Sequence, residues 1–467
     1  MAPTLTRRPA RFLHRLTPQV PSPAEPRLLC SVLVTSRHAA PARPRAVRHG
    51  RPRRSHAVLR GVALTVVTVL CFGASGAAAL YVQLNSNISS IDASDLIRDL
   101  PEPAASATGP ADPNDPNAGQ AVNILLMGSD ERDGENEAIG GHVDGMRSDT
   151  TIVAHISADR SRVELISIPR DSLVRIPSCT MSDGSTTSPQ SRAMFNSAFA
   201  LGADRGGDIA SAAACTVNTV MENTGVPIHH FVVVDFAGFT KMVDAIGGVS
   251  MCIPNDIDSP KAALTLSAGQ QTLNGTQALG FARARTGVGV GDGSDTNRLG
   301  RQQQLLAAMV EELLGKNMLT DVTQLIRFLD SATESLSIDS GFSSITDMAG
   351  LAYSLRSVSL GNVSFMTIPF AAAASDRNRV EWTSEADTIW ANVAADRPML
   401  EGTSQDPASA GGDTAGTPDA GGTTGTDPGT DPGTAAPGDG TTQAPTPAQT
   451  REAGKEAFSA GDITAVC

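Results

Sequence analysis

The chain has 467 residues, with 36 Lys+Arg against 49 Asp+Glu and a formal charge of −13. Its length allows two or three domains, but several stretches are too polar or too repetitive to fold. The charge is uneven: residues 1–60 hold thirteen Arg and one acid, Glu25, so the rest is strongly acidic. With a single aromatic, Phe12, among those arginines to stack on bases, nucleic acid is not the expected partner.

Residues 1–56, rich in Pro, Arg and Ala, are expected to form a disordered basic cytoplasmic tail lying against anionic lipid. A transmembrane helix is placed at 57–82, because Gly61 to Val82 (GVALTVVTVLCFGASGAAALYV) carries no charge. A helix needs about 20 apolar residues to cross a bilayer. The positive-inside rule then puts the C-terminal bulk outside the cell membrane, as a single-pass protein. A cleaved signal peptide is the alternative, but the apolar run and the tail before it are both long for one. Residues 83–119 read as stalk and linker: a short helical stalk from Gln83 to Leu100, then PEPAASATGPADPNDPNAG.

The folded domain is placed at 120–398. VNILLMGSD, TTIVAHIS and RVELISIP read as strands. Residues 191–224 read as two helices, HHFVVVD as a strand, FAGFTKMVDAIGG as a helix and VSMCIP as a strand. A helix follows over NRLGRQQQLLAAMVEELL, then helices near 320–335 and 343–357, the strand NVSFMTIP and a helix near 384–395. Strands alternating with helices predict a three-layer α/β/α sandwich with a central mixed β-sheet. Residues 399–450 are a low-complexity linker, and 451–467 form a C-terminal segment expected to dock only if Cys467 is bonded. Of the six cysteines, Cys30 falls in the tail and Cys71 in the span, leaving Cys179, Cys215, Cys252 and Cys467 outside. An oxidising space favours disulfides. Three pairings are open, and Cys179–Cys215 with Cys252–Cys467 is favoured.

The chemistry gathers in FARARTGVGVGDGSDTNRLGRQQQ, Phe281 to Gln303. Arg283 and Arg285 share a face if the segment is extended; Arg298 and Arg301 share one if it is helical. A flexible glycine loop separates the pairs, making a cationic fork. Guanidinium groups take phosphate oxygens in bidentate fashion, and a helix start adds free N–H groups. The expected ligand is phosphate or pyrophosphate; a solvated arginine face with surface ion pairs is the plainer reading. Asp130 (GSDERD) and Asp149 (MRSDTT) sit where strands meet loops, with Arg147 beside Asp149. Magnesium, or manganese in its place, takes carboxylate and phosphate oxygens together, so a metal bridging to pyrophosphate is expected there; loop or cap roles are the alternative. Arg170 in SIPRDS ends an apolar strand, where open α/β sheets bind ligands. Arg175 is expected on the surface. GxSxG, HExxH and GxxxxGK[ST] are all absent, so phosphoryl transfer without a covalent nucleophile is the chemistry that fits.

These blocks resemble the LytR-CpsA-Psr family of cell-wall glycopolymer ligases. The resemblance runs from about Val122 to Leu314 and rests on NILLMGSDERD, RSDTT, SIPRDSLVRIP, FNSAFALG, FVVVDFAGFTKMVDAIGGV, LSAGQQTLNGTQALGFARAR and DTNRLGRQQQLL in order. It implies an enzyme that joins a polyprenyl-pyrophosphate-linked glycopolymer to peptidoglycan through a phosphodiester, releasing the polyprenyl phosphate. It also implies an apolar tunnel for the prenyl chain and a head group held by arginines and magnesium. Carried over by position, Asp130 and Asp149 match the metal-associated acids. Arg147, Arg170, Arg283, Arg285 and Arg298 match the pyrophosphate-binding arginines, and Asp295 and Gln302 match polar site residues. Of these, Arg170, Arg283, Arg285, Arg298 and Asp295 are the catalytic candidates. The family often has a lysine where Met194 stands; Arg192 is the nearby cation that could replace it. LGADRGGD also departs from the family's tidier glycine run. A polyprenyl-pyrophosphate hydrolase and a non-catalytic envelope receptor or attenuator are the rival readings. Product identity with peptidoglycan supplied separates transfer from hydrolysis, and turnover itself separates both from a receptor.

Overall fold

The computed structural model describes residues 57–98, 115, 117–130, 136, 139, 145–291, 295–315, 330, 333, 336–342, 344–406, 454 and 456–465. The chain divides at Val67/Thr68 into two compact units. What is described of the first is the start of one helix, and the architecture below belongs to the second. That helix, α1 (Ala57–Asn87), is long and apolar enough over Val58–Asn87 to cross a membrane. It runs unbroken past residue 82, so only the first part of the helical stalk expected over residues 83–100 is helix, the end of α1; a strand of the main sheet (Ser89–Ile91) and a 3-10 turn (Ser94–Leu96) follow. Its last turn is docked: Gln83 and Asn87 donate to Asp330 Oδ1 at 3.3 and 2.9 Å, and Leu84 is buried.

The strands and helices follow in order: β1 (Ser89–Ile91), β2 (Val122–Ser129), β3 (Ser148–Ile156), β4 (Val163–Ile168), β5 (Leu173–Ile176) and β6 (Gln190–Met194). Helices α2 (Ser197–Gly206) and α3 (Ile209–Thr224) lead to β7 (His230–Val234) and α4 (Phe236–Ala245). Two small hairpins come next, from β8 (Val249–Ile253), β9 (Ile257–Ser259), β10 (Leu264–Leu266) and β11 (Gly269–Leu273). Then come α5 (Gly275–Arg283), α6 (Asp295–Gly315), β12 (Leu336–Asp339), α7 (Ile345–Ser354) and β13 (Val363–Thr367). The chain continues through β14 (Phe370–Ala373), β15 (Asp376–Trp382), α8 (Ser384–Ala394) and β16 (Phe458–Ser459).

Among the described residues the main sheet has the order β1-β12-β7-β2-β3-β4-β13-β16. β7 runs parallel to β2 and β13 to β4, while β2, β3 and β4 form an antiparallel meander. The sheet is therefore mixed, as expected. Side chains alternate between its faces. Leu125, Met127, Val153, Ile166 and Phe231 point into one apolar cluster with Phe199, the alanines of α3 and Trp390 of α8. Ile124, Ile152, Leu165, Val232 and Phe365 point into the other, with Ala307 of α6 and Leu351 of α7. Both faces are buried, which is why the strands read as nearly unbroken apolar runs. Gln303 fixes how α6 sits on the second face: its amide donates to the Ser167 and Thr367 hydroxyls, both at 3.0 Å.

Several expectations change. Residues 191–194 belong to the β5–β6 hairpin, not to a helix. Helix α5 was unforeseen; it opens with a capping box between Asn274 and Gln277. The helix expected near 320–335 lies almost wholly outside the described residues. Cys179 and Cys215 are bonded, with Cα atoms 5.2 Å apart, tying the loop after β5 to α3. Cys252 is also disulfide-bonded; Cys467 lies outside the described residues.

The glycine loop is not flexible at its start. Val288 and Asp258 exchange backbone hydrogen bonds of 3.1 and 2.9 Å, and Ser259 Oγ donates to Thr286 O at 2.7 Å. Gly287 (φ 137°) and Gly289 (φ 70°) lie so close to the Asp258 and Asp256 carbonyls that a Cβ would collide with them. Glycine here serves close backbone approach, not mobility.

Candidate active site

Strands β2 and β7 end side by side, and β3 begins beside them. Their ends, with α4, α5 and α6, enclose a cavity of about 530 Å³. Arg147, Arg170, Arg283, Arg285 and Arg298 all line it, together with Asp130, Asp149 and Gln302. The structure thus brings together eight of the ten site residues expected from sequence. Arg192 is not among them: it lies on exposed β6, paired with Glu381 Oε1 at 2.5 Å and Ser375 Oγ at 2.9 Å. The strand pairing turns it toward the β14–β15 hairpin instead. Asp295 begins α6, but its side chain lies outside the described residues.

Asp149 is the centre of the cluster. Its Oδ1 accepts from Arg170 Nη1 at 2.7 Å, and its Oδ2 stands 3.8 Å from Arg298 Nη1 and 3.9 Å from Arg285 Nη2. Arg298 also donates to the Asp149 carbonyl at 3.1 Å. Burial pushes the Asp149 carboxyl up, but Arg298, Arg170 and Arg285 together outweigh it and hold the group below its usual value. Asp130 closes the other side: its Oδ1 accepts from the Arg147 backbone N–H at 2.7 Å, and its own N–H donates to the Arg147 carbonyl at 2.9 Å.

Arg283 and Arg285 do not share a strand face. Arg283 ends α5 and Arg285 follows the C-cap Ala284. The Arg283 guanidinium carbon lies 4.3 Å above the Phe236 ring, a cation–π contact. Neither Phe236 nor its neighbour Asp235 was singled out in the sequence. Asp235 caps α4 through Gly238 N–H at 2.7 Å and takes the Asn136 amide at 2.9 Å. The available signal was an Asp at a strand end followed by FAGF, a cap with an aromatic after it. Arg301 faces away from the cavity, although it is only three residues from Arg298.

Behind the arginines the cavity is apolar, walled by Leu126, Ile152, Phe239, Met242, Leu305 and Met309. Five arginines face three carboxylates at the mouth, so the mouth is net positive. The arrangement suits an amphiphile with an anionic head and an apolar tail. Among the described residues no three His, Cys, Asp or Glu side chains form a ready metal cage. Asp130 and Asp149 flank the same mouth from adjacent strands, however. Magnesium is bound by one or two carboxylates completed by phosphate oxygens and water, and this donor set fits it.

A profile of the LytR_cpsA_psr family matches residues 80–394. The cell wall biosynthesis protein LcpA of Corynebacterium glutamicum is 29% identical over 265 residues, 53% of this chain and 50% of that protein. A protein of Oceanobacillus iheyensis named polyisoprenyl-teichoic acid–peptidoglycan teichoic acid transferase TagU is 32% identical over 231 residues, 49% of this chain and 63% of that one. The chain thus spans about half to two thirds of the length of these curated relatives. Among solved structures, a LytR-Csp2A-Psr enzyme from Actinomyces oris aligns with 66% of this chain and 96% of its own, at 20% identity and a TM-score of 0.46.

Proposed function

The chain belongs to the LytR_cpsA_psr family, and from that premise we propose that it is a membrane-anchored phosphotransferase of cell-wall assembly. It takes a glycopolymer carried on polyprenyl pyrophosphate and joins it to a peptidoglycan hydroxyl by a phosphodiester. The observation that carries this reading is the single cavity in which a mouth of five arginines opens onto an apolar interior. A diphosphate fits the mouth, and an isoprenoid chain fits the walls of Leu, Ile, Phe and Met. The name of the Oceanobacillus relative pairs a polyisoprenyl-linked teichoic acid with peptidoglycan in the same way.

In the proposed reaction the acceptor oxygen attacks the phosphorus that bears the glycan. The bridging P–O bond breaks, polyprenyl monophosphate leaves, and the hydroxyl proton passes to solvent or a site carboxylate. The charge that develops on the phosphate oxygens is met by guanidinium groups already held in place by Asp149. Arg298, almost fully buried, works at low local dielectric, where its charge counts most. Asp130 and Asp149 would hold magnesium, which supplies further positive charge to the diphosphate. Helix α1 would anchor the chain, with the arginine-rich tail on the cytoplasmic side.

The test is product identity. The full-length chain in lipid nanodiscs is given a polyprenyl-pyrophosphate-linked glycan, magnesium and peptidoglycan oligomers. A covalent glycan–peptidoglycan adduct with release of polyprenyl phosphate is expected. Free glycan phosphate alone would make the chain a hydrolase, and binding without turnover would make it a receptor.

A further inference from the structure

Arg301 lies one turn beyond Arg298 on α6, yet its guanidinium is buried away from the cavity. All of its hydrogen bonds go to backbone carbonyls of the segment that carries the other two fork arginines. Nη1 donates to Val290 O at 2.6 Å, Nε to Phe281 O at 3.4 Å, and Nη2 to Ala284 O. Among the described residues no carboxylate pairs with it. Burial pulls its proton affinity below the usual arginine value. A buried cation without a counter-ion is an expensive way to hold a loop, since a neutral amide could satisfy a carbonyl. The planar fork does something an amide cannot: one rigid group bonds three carbonyls at fixed angles.

The three acceptors are informative in themselves. Phe281 O and Ala284 O belong to the end of α5, where carbonyls lack helical partners and the dipole is negative. Ala284 stands between Arg283 and Arg285. Fixing its carbonyl fixes the peptide plane from which the two arginines diverge, one over Phe236 and the other toward Asp149. Val290 O lies mid-loop, two residues past the Val288 bridge to Asp258. The described first half of the loop, through Val290, is therefore held by Asp258 and by Arg301.

We infer that Arg301 is a positioning residue: without touching the ligand, it sets where Arg283 and Arg285 present their charges to a diphosphate head group. This rests on the pyrophosphate reading of the cavity and deepens it. It assigns the fourth fork arginine a different task from its neighbours: three arginines of the stretch face the ligand, and the fourth aims two of them.

The experiment uses the full-length chain in nanodiscs, with farnesyl pyrophosphate as a short amphiphilic probe and farnesol as its uncharged control, by calorimetry. The variants are Arg301→Gln, Arg301→Lys, the pair Arg283→Ala/Arg285→Ala, and Arg301→Gln added to that pair. Arg301→Gln is expected to weaken farnesyl pyrophosphate at least about tenfold, the scale of one misplaced charge-assisted hydrogen bond. Farnesol binding stays unchanged. In the double-alanine background Arg301→Gln causes no further loss, because the residues it aims are gone. Arg301→Lys keeps the charge but not the fork, falls between, and carries the test if circular dichroism finds the glutamine variant unfolded. Unchanged pyrophosphate affinity, an equal loss for farnesol, or a loss that persists in the double-alanine background would each overturn the inference alone. A wild-type chain that binds farnesol as well as its pyrophosphate would overturn the head-group reading, and the inference with it.

Discussion

The Asp149 carboxylate accepts a hydrogen bond from the Arg170 guanidinium at 2.7 Å. Asp149 lies at the start of β3 and Arg170 in the turn just past the end of its antiparallel neighbour β4, and the same carboxylate draws in Arg285 and Arg298 from the far side of the cavity. Asp149 thus acts as an internal stand-in for an anion. Asp149→Asn should cost about 1–3 kcal/mol, less than breaking a fully buried pair because the group is partly exposed. Inorganic pyrophosphate, with a chelator present, should then raise the melting temperature more in the variant than in the wild type. Equal shifts in the two chains would count against the stand-in role.

The same carboxylate sets a pH dependence. Its folded value lies below the usual 3.8. The stability it contributes is therefore present above 3.8 and is lost as pH falls through the folded value. The difference in unfolding free energy between wild type and Asp149→Asn should shrink as pH drops from about 5 to about 3. Denaturant titrations at a series of pH values measure it, and a gap that widens on acidification would refute the assignment.

Arg192 and Arg285 should behave oppositely. Arg192 sits in an exposed pair with Glu381, so Arg192→Ala should change stability by less than about 1 kcal/mol and leave pyrophosphate affinity alone. Arg285→Ala removes a cavity cation and should weaken pyrophosphate at least about tenfold. Calorimetry on both variants decides, and a loss at Arg192 would return that residue to the site.

Head and tail of the ligand can be separated. Leu306 lines the apolar part of the cavity from α6. Leu306→Trp should cost about 1–3 kcal/mol by overpacking. It should lower affinity for a long polyprenyl pyrophosphate while sparing inorganic pyrophosphate. Parallel losses for both ligands would mean that the apolar wall is ordinary core.

The Cys179–Cys215 bond spans 36 residues, and neither cysteine lines the cavity. Replacing both with Ala should cost about 2–5 kcal/mol. Below the lowered melting temperature, turnover should remain close to that of the wild type.

What the sequence conveyed well was anything local or periodic. The apolar runs of β2, β3, β4 and β13 gave the strands, because both sheet faces are buried. The arginines and acids at strand ends gave most of the site. What it hid was tertiary. Arg192 looked like a spare phosphate ligand until the β5–β6 hairpin turned it to Glu381. Arg298 and Arg301 share a helical spacing, yet one reaches ligand space and the other the backbone, since α6 rotates to put Gln303 on Ser167 and Thr367. The glycines of residues 287 and 289 read as slack, because their reason, the nearby Asp256 and Asp258 carbonyls, is thirty residues away in the chain.

The outermost strand, β16, lies against β13 yet is synthesised more than sixty residues after α8 begins. Until it arrives, the rim of β13 offers unpaired N–H and C=O groups to any neighbour. A chain still being made would meet crowded surroundings with that rim bare. Shortened forms ending after α8 should for that reason self-associate through β13, and a bulky reporter fused just behind β16 would sit at the seam.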